Sequence, residues 1–155
     1  MKKNFSASRV AGLEKLFQAR SVCIVGASPD ERSIPGMALD RLVKHGFGGT
    51  IQLVNPKYNE VSGRRCFPSV RDLPERVDAA MVCIPAAAVP DVIDQCGDAG
   101  VAAAVVVASG FEEVSNGAAS TARLRAAIDR TGIRVVGPNT EGVWNIPGKV
   151  MLTFG

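Results

Sequence analysis

Five short runs of β-branched and small apolar residues alternate along the chain with segments of helical spacing, and this alternation limits the fold more than any other feature. The runs are Ser21–Val25, Thr50–Val54, Ala79–Ile84, Ala103–Val107 and Ile133–Val136. Several are apolar at nearly every position, the pattern of strands covered on both faces by helices in a parallel sheet. Between them, Met37, Leu39, Leu42 and Val43 precede Gly46; Val89, Val92, Ile93 and Cys96 precede Gly97 and Gly100; Ala122, Leu124, Ala127 and Ile128 precede Gly132. These spacings predict amphipathic helices, each ending at a glycine that takes the left-handed position without a Cβ penalty. Strand, helix, strand repeated this way gives right-handed crossovers and an α/β architecture: an open, doubly wound, mainly parallel sheet with helices on both faces. A leader carrying Leu13, Leu16 and Phe17 is expected to pack as a further helix against the sheet edge.

The 155 residues suit a single domain, 1–155, with its core at about 10–145. The stretch from Asn55 to Pro74 is rich in turn formers, too short for a domain boundary and long for a simple connection. With 46% hydrophobic and 21% charged residues, the chain has enough apolar side chains to bury a core, which excludes disorder as its main state. Aromatics are only 5% and the net charge of +3 is scattered, with Arg64–Arg65 the densest pair, so nucleic acid is not an expected partner. The longest apolar stretch, Val101 to Ala108, is far shorter than a membrane span, and no membrane partner is expected. Met1, Lys2 and Lys3 are followed by Asn4, Phe5 and Ser6 rather than an apolar run, which argues against a signal peptide. Cys23, Cys66, Cys83 and Cys96 lie far apart and resemble reduced core residues, so a cytoplasmic location is expected.

In open α/β sheets, ligands bind beyond the carboxyl ends of the strands where the topology reverses. After the first run come Gly26, Ala27 and Ser28, then a loop through Ser33 and Ile34 to Gly36. Gly26 permits a sharp turn, the small residues let a phosphate approach, and the following helix N-terminus offers N–H groups to an anion. It is not the dinucleotide fingerprint, because position 28 is serine and the loop is several residues too long; a plain glycine turn is the alternative reading. After the second run, Asn55, Pro56 and Lys57 stand where an NAD site needs a carboxylate for the ribose hydroxyls. A cation there suits a ribose that carries a phosphate, unless Lys57 is an ordinary solvated turn lysine. The third run leads into Pro85, Ala86 and Val89, a small apolar surface fit for an adenine ring or a simple strand-to-helix turn. The fourth leads into Ser109, Gly110 and Phe111, and the fifth into Gly137, Pro138, Asn139 and Thr140.

The runs Val25–Ser28, Val54–Lys57, Ile84–Ala86, Ser109–Phe111 and Gly137–Asn139 together resemble the CoA-binding domain of NDP-forming acyl-CoA synthetases such as ADP-forming acetate–CoA ligase, related to the α subunit of succinyl-CoA ligase. The resemblance spans roughly residues 10 to 155 and implies a Rossmann-like domain holding coenzyme A across the strand ends. It implies that Ser28 to Gly36 wrap the nucleotide and diphosphate, Lys57 meets a phosphate, Ile84 to Val89 flank the adenine, and Ser109 to Phe111 border the ribose or pantetheine. Asn139 and Thr140 match a Gly-Pro-Asn turn toward the thiol end. The family's reaction is reversible: acyl-CoA, phosphate and NDP give free acid, CoA and NTP through an acyl phosphate and a phosphohistidine. The histidine belongs to another domain, so the remaining domains or subunits of the ligase are the implied partners. The chain is then expected to be the N-terminal CoA-binding part of a longer acid–thiol ligase, not catalytic alone.

The only histidine, His45, sits at a helix end just before Gly46, off the family's catalytic position, and a surface capping role fits it best. Ser28 and Ser109 have no histidine partner for a triad, and no His/Cys/Asp cluster has metal spacing, so neither catalytic nor metal-binding residues are assigned. Glu112 and Glu113 are expected to serve a helix N-terminus, and Trp144 and Phe154 to form an edge contact of the kind a further domain would meet. The competing reading is a stand-alone CoA- or NAD-type sensing module.

Overall fold

The computed structural model describes residues 5–155; the signal-peptide reading of Met1 to Asn4 lies outside them. The order of elements is α1 (Phe5–Phe17), β1 (Ser21–Val25), α2 (Ile34–Lys44), β2 (Thr50–Val54), β3 (Glu60–Val61), β4 (Arg64–Phe67), β5 (Ala79–Val82), α3 (Val89–Asp98), β6 (Ala103–Val106), α4 (Ala118–Thr131), β7 (Arg134–Val136), β8 (Gly142–Asn145) and β9 (Val150–Thr153). A seven-stranded sheet runs β3-β4-β2-β1-β5-β6-β7, parallel throughout except for β3, which pairs antiparallel with β4. The doubly wound α/β architecture predicted from the alternation is therefore present.

The period of two along each strand sorts side chains to the two faces. Val22, Ile24, Met81 and Val105 point to the face covered by Leu16 of α1, by Leu39 and Leu42 of α2, and by Val143 and Leu152 of the β8–β9 hairpin. Cys23, Val25, Val82 and Val106 point the other way, to Ile93 and Cys96 of α3 and Leu124 and Ala127 of α4. Because both faces are covered, the central strands need apolar residues at every position, which is why their sequences do not alternate. Ion pairs join the two helices of the second face: Arg123 to Asp91 at 3.2 Å and Arg130 to Asp94 at 2.7 Å. Gly97 sits where a Cβ would lie 2.3 Å from the Thr131 methyl group, so α3 and α4 approach more closely than any side chain there would allow.

Two stretches differ from the sequence expectations. The connection from Asn55 to Pro74 contains β3 and β4, joined by Ser62 (φ 50°) and Gly63 (φ 72°), the paired left-handed residues of a tight hairpin turn. The segment after the expected core also joins it: Val150 and Leu152 of β9 pair with β8 and are buried against α2, which extends the core past residue 145. Three predicted strands are also longer than the observed ones: β5 ends at Val82, β6 ends at Val106 and β7 starts at Arg134. No helix among the described residues is long and apolar enough to cross a membrane.

Candidate functional site

From β1 the chain winds through α2 to β2 on one side, then returns across the sheet to β5 on the other. The carboxyl ends of β1 and β5 therefore border the crevice where topology reverses. Gly26 makes that crevice possible. Its φ is +93°, its N–H and that of Ala27 both donate to the Val54 carbonyl at 2.8 and 3.1 Å, and a Cβ at this position would lie 2.4 Å from the Cys83 carbonyl oxygen.

Two cavities meet over this point. One, of about 410 Å³, is bounded by Gly26, Asn55, Pro56, Lys57, Pro68, Ser69 and Gln95; the other, of about 390 Å³, by Ile34, Pro35, Val107, Ala108 and Ser109. Cys83, Ile84 and Pro85 line both and form the wall between them. An elongated ligand laid along the strand ends would cross that wall, with a cation, Lys57, in the first cavity.

Asn55 orders the corner that it also lines. Its Nδ2 donates to the Ala27 carbonyl at 2.8 Å and its Oδ1 accepts from the Lys57 N–H at 2.9 Å, so the loops after β1 and β2 are tied together and Lys57 is fixed at the rim. The loop from Ser28 to Gly36 is likewise held from within. Ser28 Oγ accepts from the Asp30 N–H, while Ser33 caps α2, donating to the Asp30 carbonyl at 2.6 Å and accepting from the Gly36 N–H at 3.2 Å. A Cβ on Gly36 would lie 2.2 Å from the Asp30 carbonyl oxygen, so glycine is needed for this loop to fold back on the helix. The donors expected at the start of α2 are reduced accordingly: Pro35 has no N–H and that of Gly36 is taken by Ser33.

Three more of the singled-out residues have buried side chains. Val89 and Phe111 belong to the core on the α3–α4 side and Ala27 to the opposite core, which leaves only their backbones for a ligand. Ala86 starts a short 3-10 turn after Pro85 and packs against the same core as Val89. Asn139, whose N–H donates to the Ala108 carbonyl at 2.9 Å, borders a separate cavity of about 460 Å³ with Phe111, Arg125 and Pro138, apart from the Lys57 corner. Thr140 Oγ1 accepts from the Gly142 N–H at the start of β8. His45 directly follows α2, its N–H donating to the Arg41 carbonyl.

Glu112 and Glu113 do not serve a helix start, since α4 begins only at Ala118. Glu112 pairs with Arg125 at 2.5 Å, and the Glu113 carboxylate accepts from the Gly110 and Phe111 N–H groups, occupying the concavity of amides after β6. The Gly110 N–H above all holds the Glu113 carboxyl below the usual glutamate range. A depressed pKa contributes stability above the unfolded value, about 4.3 for glutamate, that is lost as pH falls through the lower folded value. The Gly110 amide resonance should therefore titrate with an inflection below the ordinary glutamate range; an inflection at or above it would show that the carboxylate does not hold this loop.

Burial pushes the thiols of Cys83 and Cys96 up to about 12 and raises Cys23 and Cys66, so all are neutral and unpaired, unsuited to act as nucleophiles. Sequence reasoning missed Pro68, Ser69 and Gln95 as lining residues. The first two follow β4, and their position would have been evident had that strand been recognised.

The sequence profile of the CoA binding domain matches residues 20–145. The chain belongs to the CoA-binding domain family. Its relatives include acetate–CoA ligase [ADP-forming] I of Archaeoglobus fulgidus, 38% identical over 143 residues, and acetate–CoA ligase [ADP-forming] I subunit alpha of Pyrococcus furiosus, 36% identical over 148. Each alignment takes in 92% of this CoA-binding domain, which spans only 21% of the first relative and 32% of the second. Among solved structures, the dinucleotide-forming acetyl-coenzyme A synthetase 1 of Ca. Korarchaeum cryptofilum, in complex with phosphate and ADP, superimposes with a TM-score of 0.87 at 40% identity, covering 92% of this chain and 31% of that one. The CoA-binding domain is thus homologous to part of ADP-forming acetate–CoA ligases.

Proposed function

We propose that this domain binds coenzyme A across the ends of β2, β1, β5 and β6 and presents it to the other parts of an NDP-forming acyl-CoA synthetase. The observation that carries this reading is the two-lobed cleft divided by Ile84 and Pro85, with Lys57 fixed in one lobe by Asn55. The lobe with Lys57 takes the phosphorylated nucleotide end, and the lobe between Ile34 and Ser109 takes the chain leading to the thiol. A ligand reaching both lobes must be long and flexible at one end, as coenzyme A is. The residues of this chain bind and orient; the acyl phosphate, the phosphohistidine and the nucleotide triphosphate are handled by the additional length that the relatives possess. Trp144, half exposed on β8, is offered to those parts. An NAD-type site is disfavoured because the loop after β2 ends in Asn55, Pro56 and Lys57, with no carboxylate for the ribose hydroxyls.

Thermal melting with ligands tests the reading. Saturation at about 100 times Kd stabilises by about 2.7 kcal/mol, which for a chain of this size raises Tm by roughly 5–10 °C. CoA should give such a shift and NAD none. Lys57→Ala should reduce the CoA shift while leaving that of dephospho-CoA unchanged. No shift with millimolar CoA would reject the proposal, and a shift with NAD alone would favour a nucleotide-sensing module.

A further inference from the structure

The β3–β4 hairpin connects Lys57 to Pro68, two residues that line the same lobe, and carries charge that the fold leaves unused. From Lys57 to Asp72 stand four cations, Lys57, Arg64, Arg65 and Arg71, against Glu60 and Asp72. Arg71 is paired with Asp98 at 2.6 Å. Lys57, Arg64 and Arg65 make no ion pair among the described residues, although Glu60 is the cross-strand neighbour of Arg65.

Of the two neighbouring arginines, Arg65 is the one on the site's face of the sheet. In the parallel pairing of β2 with β4, Phe67 is in register with Val54, whose side chain belongs to the face that borders the Lys57 lobe. Arg65, two residues earlier, shares the face of Phe67, whereas Arg64 and Cys66 lie on the opposite one. The Arg65 guanidinium carbon lies 4.9 Å from the centre of the Phe67 ring, so the side chain leans along the strand toward its carboxyl end. Phe67 is bound to the same corner as Lys57: its carbonyl accepts from the Asn55 N–H at 2.9 Å, and Asn55 Oδ1 in turn accepts from the Lys57 N–H. A guanidinium resting on a ring keeps its N–H fork free for an anion while losing less rotamer freedom on binding.

We infer that Arg65, stacked on Phe67, joins Lys57 in clasping the phosphate on the ligand's ribose, and so makes this site choose phosphorylated over unphosphorylated nucleotide ends. This rests on the coenzyme A reading above. Lys57 supplies a point charge from the loop and Arg65 a planar donor pair from the strand, so the phosphate is approached from two elements that Asn55 holds in fixed relation.

Calorimetric titration with CoA and with dephospho-CoA tests it on Arg65→Gln, Phe67→Leu and Arg64→Gln. Loss of one charged hydrogen-bonding partner should weaken CoA binding roughly tenfold in Arg65→Gln and leave dephospho-CoA unchanged. Phe67→Leu, which keeps apolar bulk and removes the ring, should show a smaller loss of the same selectivity, and Arg64→Gln none. If Arg65→Gln keeps the wild-type preference, or weakens both ligands equally, the inference is overturned while the coenzyme A reading stands. If the wild-type chain binds neither ligand, that reading fails and takes the inference with it.

Discussion

Gly26→Ala should cost about 2–6 kcal/mol of stability, a fall in Tm on the order of 10 °C, before any ligand is considered. Two penalties combine. An alanine at φ +93° is strained by about 1–3 kcal/mol, and its Cβ, 2.4 Å from the Cys83 carbonyl oxygen and 2.9 Å from Ile84 Cγ2, must push β5 away from β1. Displacing a well-packed neighbour typically costs a further 1–3 kcal/mol. The atoms pushed are those of the wall between the two lobes, so CoA binding should be lost together with stability. Gly132→Ala provides the contrast, because Gly132 has φ +71° but nothing within 4 Å of its would-be Cβ. It should lose only the conformational part. Urea denaturation of both variants decides the matter: equal losses would mean that crowding against Cys83 contributes nothing.

The second large effect lies far from the ligand. Leu152 of β9 is fully buried, in one cluster with Ile24 of β1 and Leu39 and Leu42 of α2. Truncating it to alanine removes buried methyl groups and leaves a cavity that rigid neighbours cannot fill, for a loss of about 2–5 kcal/mol. Trp144→Ala on the partner strand, where the indole is half exposed, should cost under about 1 kcal/mol. The pair of results establishes whether the hairpin is part of the core or an appendage. A near-neutral Leu152→Ala would make it an appendage.

How much of this was legible follows from what each element needs. The strands of the central sheet could be read within a residue or two because burial on both faces demands continuous apolar runs. Helices α2, α3 and α4 could be read because each has one buried stripe and a glycine just past its end, as Gly132 shows with its left-handed φ. The β3 and β4 strands could not, since β3 is two residues long and Arg64–Arg65 on β4 faces solvent, leaving no periodicity to detect. Yet Ser62–Gly63 did encode the turn, and it is the signal that was available. At the site, residue types pointed to the corner around Lys57, but not to what each atom does there. The Asn55 side chain joins two loops, Ser33 caps a helix, and Glu113 takes the Gly110 and Phe111 amides rather than a helix N-terminus. Such assignments depend on the path of loops between strands, which no local pattern fixes.

The ends of the sheet have a consequence for how this domain meets other chains. One outer strand, β3, is two residues long and runs against the rest; the other, β7, has three residues. Strand addition needs a longer row of unsatisfied backbone groups than either provides. Neither end of the sheet can therefore recruit a further strand, and the sheet is protected from the edge-to-edge stacking that leads to aggregation.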